Sequence, residues 1–329
     1  MSLDCKPAMV ERKEADDQPS FREQFCVPFL LRAQNSDGGW GYRPESESSV
    51  EPTAWATLAL RQKAAQYPQV IERANQWLLQ TQRTEGAWPA SAGDPGCWVT
   101  GLACLALLDR ANSPGAEILK GLQWLSDSWP AEGNVWWRLR QRWHKSPDTV
   151  VHQDHALRGW GWTPGTASWV EPTAYILILL RNIPERFYPS GTSKRRQLGE
   201  KMLSNRVCPG GGWNAGNPMV YGVPGEPRIG PTVWALLALS DNLNRPESTA
   251  SLDWLERNYQ HISGPGSVAL AHLCLAVYGR PVPPLEPRLS SLYMENNFLS
   301  NVVVAAWACL ALGTVPAWLG SAPAMEIEA

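Results

Sequence analysis

Two glutamates in this chain stand at the head of long apolar runs, where a carboxyl group could act as an acid. Glu51 opens "EPTAWATLAL" and Glu171 opens "EPTAYILILL". A carboxyl group buried beside aromatic rings has a raised pKa, because burial disfavours its charged form, and general acids at neutral pH need a raised pKa. A structural interpretation is equally open: an ionised carboxylate at a helix start, bound to backbone N–H groups or to an arginine, with proline as the first helical residue.

The two runs belong to a set of six that align without gaps. The runs are "TAWATLAL", "TGLACLAL", "TAYILILL", "TVWALLAL", "LAHLCLAV" and "AAWACLAL". A helix that is apolar all round must be enclosed by other elements. Amphipathic segments such as "VIERANQWLLQTQ" precede most of the runs and indicate outer helices with one wet face. Because closing six such pairs into a ring removes both exposed ends, we predict an all-α fold, a single-domain (α/α)6 toroid of six inner and six outer helices.

The same pattern sets the predicted boundaries. Residues 20–313 form the toroid, residues 135–158 are an insertion in its third repeat, and residues 1–19 and 314–329 are tails. Glycine-rich loops, each with a tryptophan, precede the first four inner helices, as in "DGGWGYRPESE" and "GGGWNAGNP". The chain has 18 tryptophans against five phenylalanines. We expect the loop tryptophans to cover the helix ends, because glycine permits the tight backbone paths around them.

The composition excludes some classes of partner. The net charge is −2 with no basic block, so nucleic acid is not expected as a partner. The seven cysteines are odd in number and several lie in apolar runs, which favours buried free thiols in a reducing compartment. No signal pattern and no apolar run of about 20 residues is present. We expect a cytoplasmic protein, with peripheral membrane contact left open.

At this level of detail the chain resembles a known superfamily over most of residues 21–313. "WLLQTQRTEGAW" is similar to the Gln–Trp repeat of squalene–hopene and oxidosqualene cyclases, and "GGWGYRPESES" resembles the glycine-rich loops of protein prenyltransferase β subunits. Both families are α/α toroids that handle long isoprenoids. The resemblance therefore implies an isoprenoid or another apolar small molecule as the ligand.

One level of the aligned helices is rich in π systems. The residues aligned there are Trp55, Leu102, Tyr175, Trp234, His272 and Trp307. If this level faces the central cavity, its aromatic and imidazole rings would bind a prenyl chain and stabilise a carbocation. We therefore predict Trp55, Tyr175, Trp234, His272 and Trp307 as substrate-binding residues. The alternative is that these rings pack between the two rings of helices.

The glutamates fall where class II terpene cyclases carry the motif D-x-D-D-T-A. The resemblance places Glu51 and Glu171 at its middle aspartate, the proton donor, so both are predicted catalytic residues. The chain departs from the motif because the flanking acids are absent: Ser49 or Trp169 stands on one side and proline on the other. This departure favours the structural interpretation of both glutamates, with Glu171 the better acid candidate.

Other groups of polar residues point to weaker alternatives. Asp94, Cys97, His272 and Cys274 have types that bind zinc, but their spacing does not match the prenyltransferase site, so no metal and no cofactor is expected. The tryptophans and arginines of the insertion could form a lid, and its histidines could bind a metal or act as acid–base groups. The predicted function is a terpene cyclase-like protein that binds an isoprenoid and cyclises it by acid-initiated chemistry. The alternatives are a non-catalytic lipid- or protein-binding toroid and a zinc-dependent prenyltransferase β-like subunit.

Overall fold

The computed structural model describes residues 19–109, 113–133, 136, 154 and 156–320. Within them, twelve α-helices alternate between an outer and an inner position. The outer helices are α1 (Val27–Arg32), α3 (Pro68–Thr81), α5 (Ala116–Asp127), α7 (Thr192–Asn205), α9 (Pro246–Tyr259) and α11 (Leu285–Asn296). The inner helices are α2 (Val50–Leu60), α4 (Val99–Leu107), α6 (Val170–Arg181), α8 (Ile229–Ala238), α10 (Pro265–Val277) and α12 (Val302–Ala311). A π-helical turn, Arg22–Cys26, leads into α1.

The inner helices form a closed ring. Each packs against the next in chain order, and α12 packs against α2. The outer helices cover this ring, for example α3 on α2 and α4, and α5 on α4. The predicted toroid of six inner and six outer helices is confirmed.

Burial follows from the two sequence patterns. Helix α2 is apolar all round, and ten of its eleven residues are buried, because neighbours surround it on every side. Helix α3 buries only Ile71, Ala74 and Leu78, which recur at the spacing of one helical face. The amphipathic pattern therefore identifies the outer ring and the uniform apolar pattern the inner ring.

Four loop tryptophans join the first four outer helices to the inner helices that follow them. Their indole N–H groups donate to carbonyl oxygens at the ends of the outer helices, at 2.7–2.8 Å: Trp40 to Leu30, Trp88 to Leu78, Trp160 to Leu125 and Trp213 to Leu203. Their backbone N–H groups donate, each at 2.9 Å, to the hydroxyl groups of Thr53, Thr100, Thr173 and Thr232 on the inner helices. Each loop tryptophan thus makes two hydrogen bonds. The bond from the indole explains why the loops use tryptophan, since the side chain of phenylalanine has no N–H to donate.

The same bond locates the insertion. Trp160 and Leu125 are 35 residues apart in sequence, whereas the other three pairs are 10 apart. The third repeat therefore has 25 more residues between these two positions than the other three repeats have. Most of the insertion predicted at 135–158 lies outside the described residues, as does almost all of the predicted N-terminal tail.

The first part of the predicted C-terminal tail packs across the end of the ring where the inner helices finish. Leu319 is fully buried. The side-chain amide of Asn182 donates to the carbonyl oxygen of Trp318 at 3.0 Å, and Arg181 donates to the carbonyl oxygens of Trp318 and Leu319. Residues 316–320 therefore cover this end of the ring, which apolar composition alone does not reveal.

Strands contribute little to the described part of the chain. Met219–Val220 pairs antiparallel with Val223–Pro224 in a short hairpin before α8. The remaining irregular elements are the 3-10 turns Arg61–Lys63, Ala131–Gly133, Glu185–Phe187 and Asn297–Ser300. None of the described helices has the length and apolar character that crossing a bilayer requires.

Candidate functional site

The two glutamates lie at the same end of the ring, which we call the N-terminal mouth because all six inner helices begin there. Glu51 is the second residue of α2 and Glu171 the second residue of α6. The prediction that proline is the first helical residue is wrong by two positions, since the helices begin at Val50 and Val170 and the prolines are third. Proline is still tolerated there, because the N–H groups of the first turn have no partner within the helix.

The carboxyl group of Glu171 is partly buried and has no stabilising partner in the described part of the chain. No hydrogen bond or ion pair to it occurs there, and the start of α6 has no side-chain cap. Burial raises the pKa of Glu171 to about 7, and the negative charge of Glu51 contributes to the shift. The expected bonds from backbone N–H groups or from an arginine to Glu171 do not occur among the described residues, and burial raises its pKa instead.

A glycine on the neighbouring inner helix makes room for this carboxyl group. Gly230 occupies the position on α8 that aligns with Glu51 and Glu171, and a Cβ atom built there would lie 3.2 Å from Oε1 of Glu171. Any larger side chain at residue 230 would press on the carboxyl group. The space beside the carboxyl group of Glu171 therefore depends on the absence of a side chain at residue 230.

Glu51 has a different environment from Glu171. The phenolic O–H of Tyr42, in the first glycine-rich loop, donates to Oε2 of Glu51 at 2.5 Å. Burial raises the pKa of Glu51, and the hydrogen bond from Tyr42 opposes that shift. This bond stabilises the anion of Glu51, and the negative charge of Glu51 helps to raise the pKa of Glu171.

One helical turn below the glutamates, four predicted ligand-binding residues meet on the ring axis. We call Trp55, Tyr175, Trp234 and Trp307 the aromatic layer. Trp55 and Trp234 come from helices on opposite sides of the ring, yet their ring centroids are 5.2 Å apart. The ring of Tyr175 lies 4.7 Å from that of Trp234, and Trp307 lies 5.9 Å from Trp55. These side chains therefore face the axis and fill it.

The fifth predicted residue, His272, is placed elsewhere. Its Nδ1 atom lies 3.5 Å from the hydroxyl oxygen of Tyr259, which is on the outer helix α9. Burial lowers the pKa of His272. The side chain of His272 therefore faces the outer ring of helices. In α10, the residue that aligns with the aromatic layer does not face the ring axis.

Three further tryptophans belong to the site. Trp98 stacks on Tyr175 with a centroid distance of 5.2 Å, and Trp162 meets the face of Trp98 edge-on at 5.1 Å. Trp318 lies 6.3 Å from Trp55 on the side away from the mouth. Trp98 could have been found from the sequence, because it aligns with Glu51 and Glu171 in the set of six runs. Trp318 follows the last repeat, so no periodicity points to it.

Two indoles of the aromatic layer differ from the loop tryptophans in their hydrogen bonding. The Nε1 atoms of Trp55 and Trp307 are buried without an acceptor among the described residues. An unpaired buried donor is destabilising by about 1–3 kcal/mol, so each such group in a native fold needs an explanation. The indole N–H groups of the four loop tryptophans all have acceptors, whereas those of Trp55 and Trp307 have none among the described residues.

The described residues contain no cluster of side chains that could bind a metal ion. No group of three or more histidine, cysteine, aspartate or glutamate side chains suited to a metal ion occurs among them. Cys97 and Cys274 are buried, and burial raises the pKa of both thiols. The histidines of the insertion, His144, His152 and His155, lie outside the described residues.

Sequence comparison finds a local match at the N-terminal repeats. Residues 6–97 match the family model of the squalene–hopene cyclase C-terminal domain. Squalene–hopene cyclase of Zymomonas mobilis is 33% identical over 76 residues, which cover 20% of this chain and 12% of that enzyme. Drimenyl diphosphate synthase of Streptantibioticus cattleyicolor is 37% identical over 68 residues, 20% of this chain and 13% of the enzyme. The chain thus matches about an eighth of the length of these relatives.

Comparison of folds extends the match to most of the chain. A substrate complex of the type II terpene cyclase MstE from Scytonema has a TM-score of 0.55 at 14% identity, covering 89% of this chain and 95% of that chain. An endoglucanase of glycosyl hydrolase family 8 from Klebsiella pneumoniae has a TM-score of 0.51 at 13% identity, covering 87% and 97%. Similarity at this level shows the fold alone.

The fold and the N-terminal mouth define a single-domain α/α toroid with a pair of carboxyl groups above an aromatic layer. Residues 6–97 resemble the C-terminal domain of squalene–hopene cyclases, and the helical fold of the chain is similar to that of type II terpene cyclases. The endoglucanase has the same architecture, so the chemistry has to be argued from the residues of the site.

Proposed function

We propose that the chain binds an isoprenoid at the N-terminal mouth and cyclises it with Glu171 as the general acid. The observation that carries this proposal is the state of Glu171: a partly buried carboxyl group with a pKa of about 7, placed one helical turn above Tyr175 on the same face of α6. A protonated carboxyl group beside π-rich side chains can start a cationic reaction, and the rings can stabilise the cation that follows.

The proposed reaction is an isomerisation: the substrate gains one proton from Glu171 at the start and loses one proton at the end. Glu171 transfers its proton to the substrate, and a carbocation forms at the more substituted carbon. The π electrons of the next double bond attack that carbon and close a ring. The final cation loses a proton to water or to a carboxylate, and Glu171 is reprotonated. Glu51 acts as a fixed negative charge near the cation, because Tyr42 stabilises its ionised form.

The pKa of Glu171 favours one kind of substrate. A carboxylic acid with a pKa of about 7 is weak, and an unactivated alkene is a very poor base. An epoxide oxygen accepts a proton far more readily, and opening its C–O bond gives the same kind of cation. We therefore propose an isoprenoid with a terminal epoxide in preference to the parent hydrocarbon.

The test compares squalene with its terminal epoxide, alongside geranylgeranyl diphosphate, and detects products by mass spectrometry. We expect a cyclic product of unchanged mass from the epoxide, lost in Glu171→Gln and retained in the exposed control Glu85→Gln. Because the acid must be protonated, the rate should fall as the pH rises through about 7. Turnover that survives Glu171→Gln, or the absence of product from all three compounds, would remove this proposal.

A second candidate is a toroid that binds an isoprenoid without converting it. The filled ring axis favours this candidate, since Trp55 and Trp234 are 0% and 1% exposed and a substrate cannot pass between them as they stand. The absence of acids flanking either glutamate in sequence also favours it. Binding of the epoxide that Glu171→Gln leaves unchanged, together with no product from the native protein, would identify this alternative.

A further inference from the structure

The N-terminal mouth is accessible to solvent on one side of the ring. At the level of the two glutamates, the six inner helices carry Glu51, Trp98, Glu171, Gly230, Val268 and Val303. The residues on α2, α4, α6 and α8 are partly accessible, whereas the two valines on α10 and α12 are buried. Three of the four accessible positions carry a long side chain. The fourth, on α8, is a glycine and leaves space beside its neighbours.

The backbone at this position does not require glycine. Helices α2, α6 and α8 begin alike, with an extended residue, an apolar residue, then residue 51, 171 or 230, and then a proline. Glutamate occupies the position in two of these helices, and Gly230 has no positive φ angle. The absence of a side chain at residue 230 therefore has a reason other than backbone geometry.

The carboxyl group of Glu171 is the neighbour that a side chain at residue 230 would meet. A Cβ atom built there would lie 3.2 Å from Oε1 of Glu171, and no other described atom would lie within 4 Å of it. The space above Gly230 therefore touches Oε1 directly. Because Glu171 and Gly230 are both partly accessible, a molecule that enters the mouth can reach this space.

Aromatic rings lie below the space. Tyr175 and Trp234 follow Glu171 and Gly230 by four residues, so each lies one turn further along the same face of its helix. Their ring centroids are 4.7 Å apart. A group above Gly230 would therefore have a carboxyl oxygen at its side and π systems beneath it. This combination suits a group that takes up a proton and becomes a cation.

We propose that the space above Gly230 holds the end of the substrate that receives the proton, and that Gly230 limits the size of this end group. The inference rests on the proposed function, since it places the reacting group beside Glu171. In squalene and in its terminal epoxide, the last carbon of the reacting end carries two methyl groups. A methyl group added at residue 230 would compete with them for the same space.

The first experiment measures binding without turnover, in Glu171→Gln protein, by titration of the tryptophan fluorescence. The ligands are the terminal epoxide of squalene and the analogue that lacks one of the two terminal methyl groups. Adding Gly230→Ala should weaken binding of the epoxide roughly ten-fold more than binding of the analogue, because one methyl group in a close-fitting apolar site changes affinity by about that factor.

The matched control is Gly264→Ala, at the same end of the ring. Gly264 directly precedes α10 and has a φ of −78°, and an added Cβ atom would lie 3.7 Å from Oγ of Ser267, an ordinary contact. Gly264→Ala should leave both affinities unchanged. Gly230→Ala should also fold as the native chain does, since its methyl group meets a single side-chain oxygen. Loss of the cooperative melting transition in Gly230→Ala would overturn the inference.

The second experiment measures turnover of the same two compounds with Glu171 intact. The ratio of kcat/KM for the epoxide to that for the analogue should fall roughly ten-fold in Gly230→Ala. Equal losses for both compounds would overturn the inference, because Gly230 would then only make room for the carboxyl group of Glu171. Product formation with an unchanged ratio would remove the inference and leave the proposed function standing. Size-dependent binding without any product would do the reverse, and no binding of either compound would remove both.

Discussion

At the scale of single residues, tryptophan has two roles that its hydrogen bonds separate. Trp88 is fully buried, its ring touches the outer helix, and its indole N–H donates to Leu78 at 2.7 Å. Trp55 is equally buried, but its indole N–H has no acceptor among the described residues. The first kind holds the repeats together, whereas the second kind belongs to the aromatic layer.

Two substitutions of Trp88 should distinguish the stability that its ring contributes from the stability that its indole hydrogen bond contributes. Trp88→Ala should lower the free energy of unfolding by about 3–5 kcal/mol, because it leaves a large cavity. Trp88→Phe keeps most of the ring and should lower it by about 1–3 kcal/mol, since the carbonyl of Leu78 loses its donor. Urea titrations measure both, with the exposed Tyr221→Ala as a control within about 0.5 kcal/mol of the native protein. Equal losses for Phe and Ala would contradict the role of the indole N–H.

The raised pKa of Glu171 predicts how stability depends on pH. The pKa is about 7 in the folded chain and 4.5 in its ordinary state, so between these values the folded state binds more protons and stability falls as the pH rises. Glu171→Gln removes this dependence. The free energy of unfolding of Glu171→Gln minus that of the native protein should therefore increase by about 2 kcal/mol between pH 5 and pH 8.

Melting curves at each pH measure this difference, with Glu85→Gln as the exposed control. A difference that decreases towards pH 8 would mean that the Glu171 carboxylate is stabilised in the fold, contrary to the structure. The same result would also weaken its proposed role as an acid.

The environment of Glu171 could not be predicted from its sequence neighbours. The Glu-Pro-Thr-Ala context is the same for Glu51, yet in the described part of the chain a hydroxyl donor, Tyr42, reaches Glu51 and none reaches Glu171. The difference depends on what neighbouring repeats place at the mouth, including the glycine at residue 230. Spacing within one helix contains no information about such contacts.

At the scale of helices, the contact between the outer and inner rings depends on small residues. A Cβ atom at Gly121 of α5 would lie 2.5 Å from Sγ of Cys104 on α4. Gly121→Ala should therefore destabilise the fold by about 1–3 kcal/mol, although alanine is the better helix former. Cys104→Ala removes the sulfur atom and opens space for the added methyl group.

The double variant provides the decisive comparison. If the two helices touch at this point, Gly121→Ala with Cys104→Ala should lose less stability than the sum of the single changes, by at least about 0.5 kcal/mol. Strict additivity in thermal or urea unfolding would show that the two side chains do not meet.

The helices themselves were largely predictable, because each ring has its own pattern. Uniformly apolar runs gave the inner helices and amphipathic runs gave most of the outer ones. The fifth inner helix shows the limit: its run aligns with the others, yet His272 faces Tyr259 on the outer ring. Where a run is apolar on every side, its pattern contains no signal for which face turns to the axis.

At the scale of the whole molecule, the contact of α12 with α2 makes the toroid a closed ring instead of an open solenoid. The two ends of the described chain also meet, since Nε of Arg22 donates to the carbonyl oxygen of Cys309 on α12 at 2.9 Å. Because no inner helix lacks a neighbour, closure explains why the terminal repeats need no polar outer face of the kind that caps a linear array.

Closure predicts that the chain tolerates circular permutation. If the ring contacts determine the fold, joining residues 19 and 320 through a flexible Gly–Ser linker and opening the exposed turn between Asn242 and Leu243 should preserve it, because the same helices remain adjacent. Opening the chain between Trp234 and Ala235, inside α8, should prevent folding, since it breaks a buried helix of the inner ring. Far-ultraviolet circular dichroism and a cooperative melting transition measure the outcome. The control is the linked chain without the new opening. If this control folds and the permutant opened at Asn242 does not, the order of the repeats along the chain matters and ring contacts alone do not hold the toroid together.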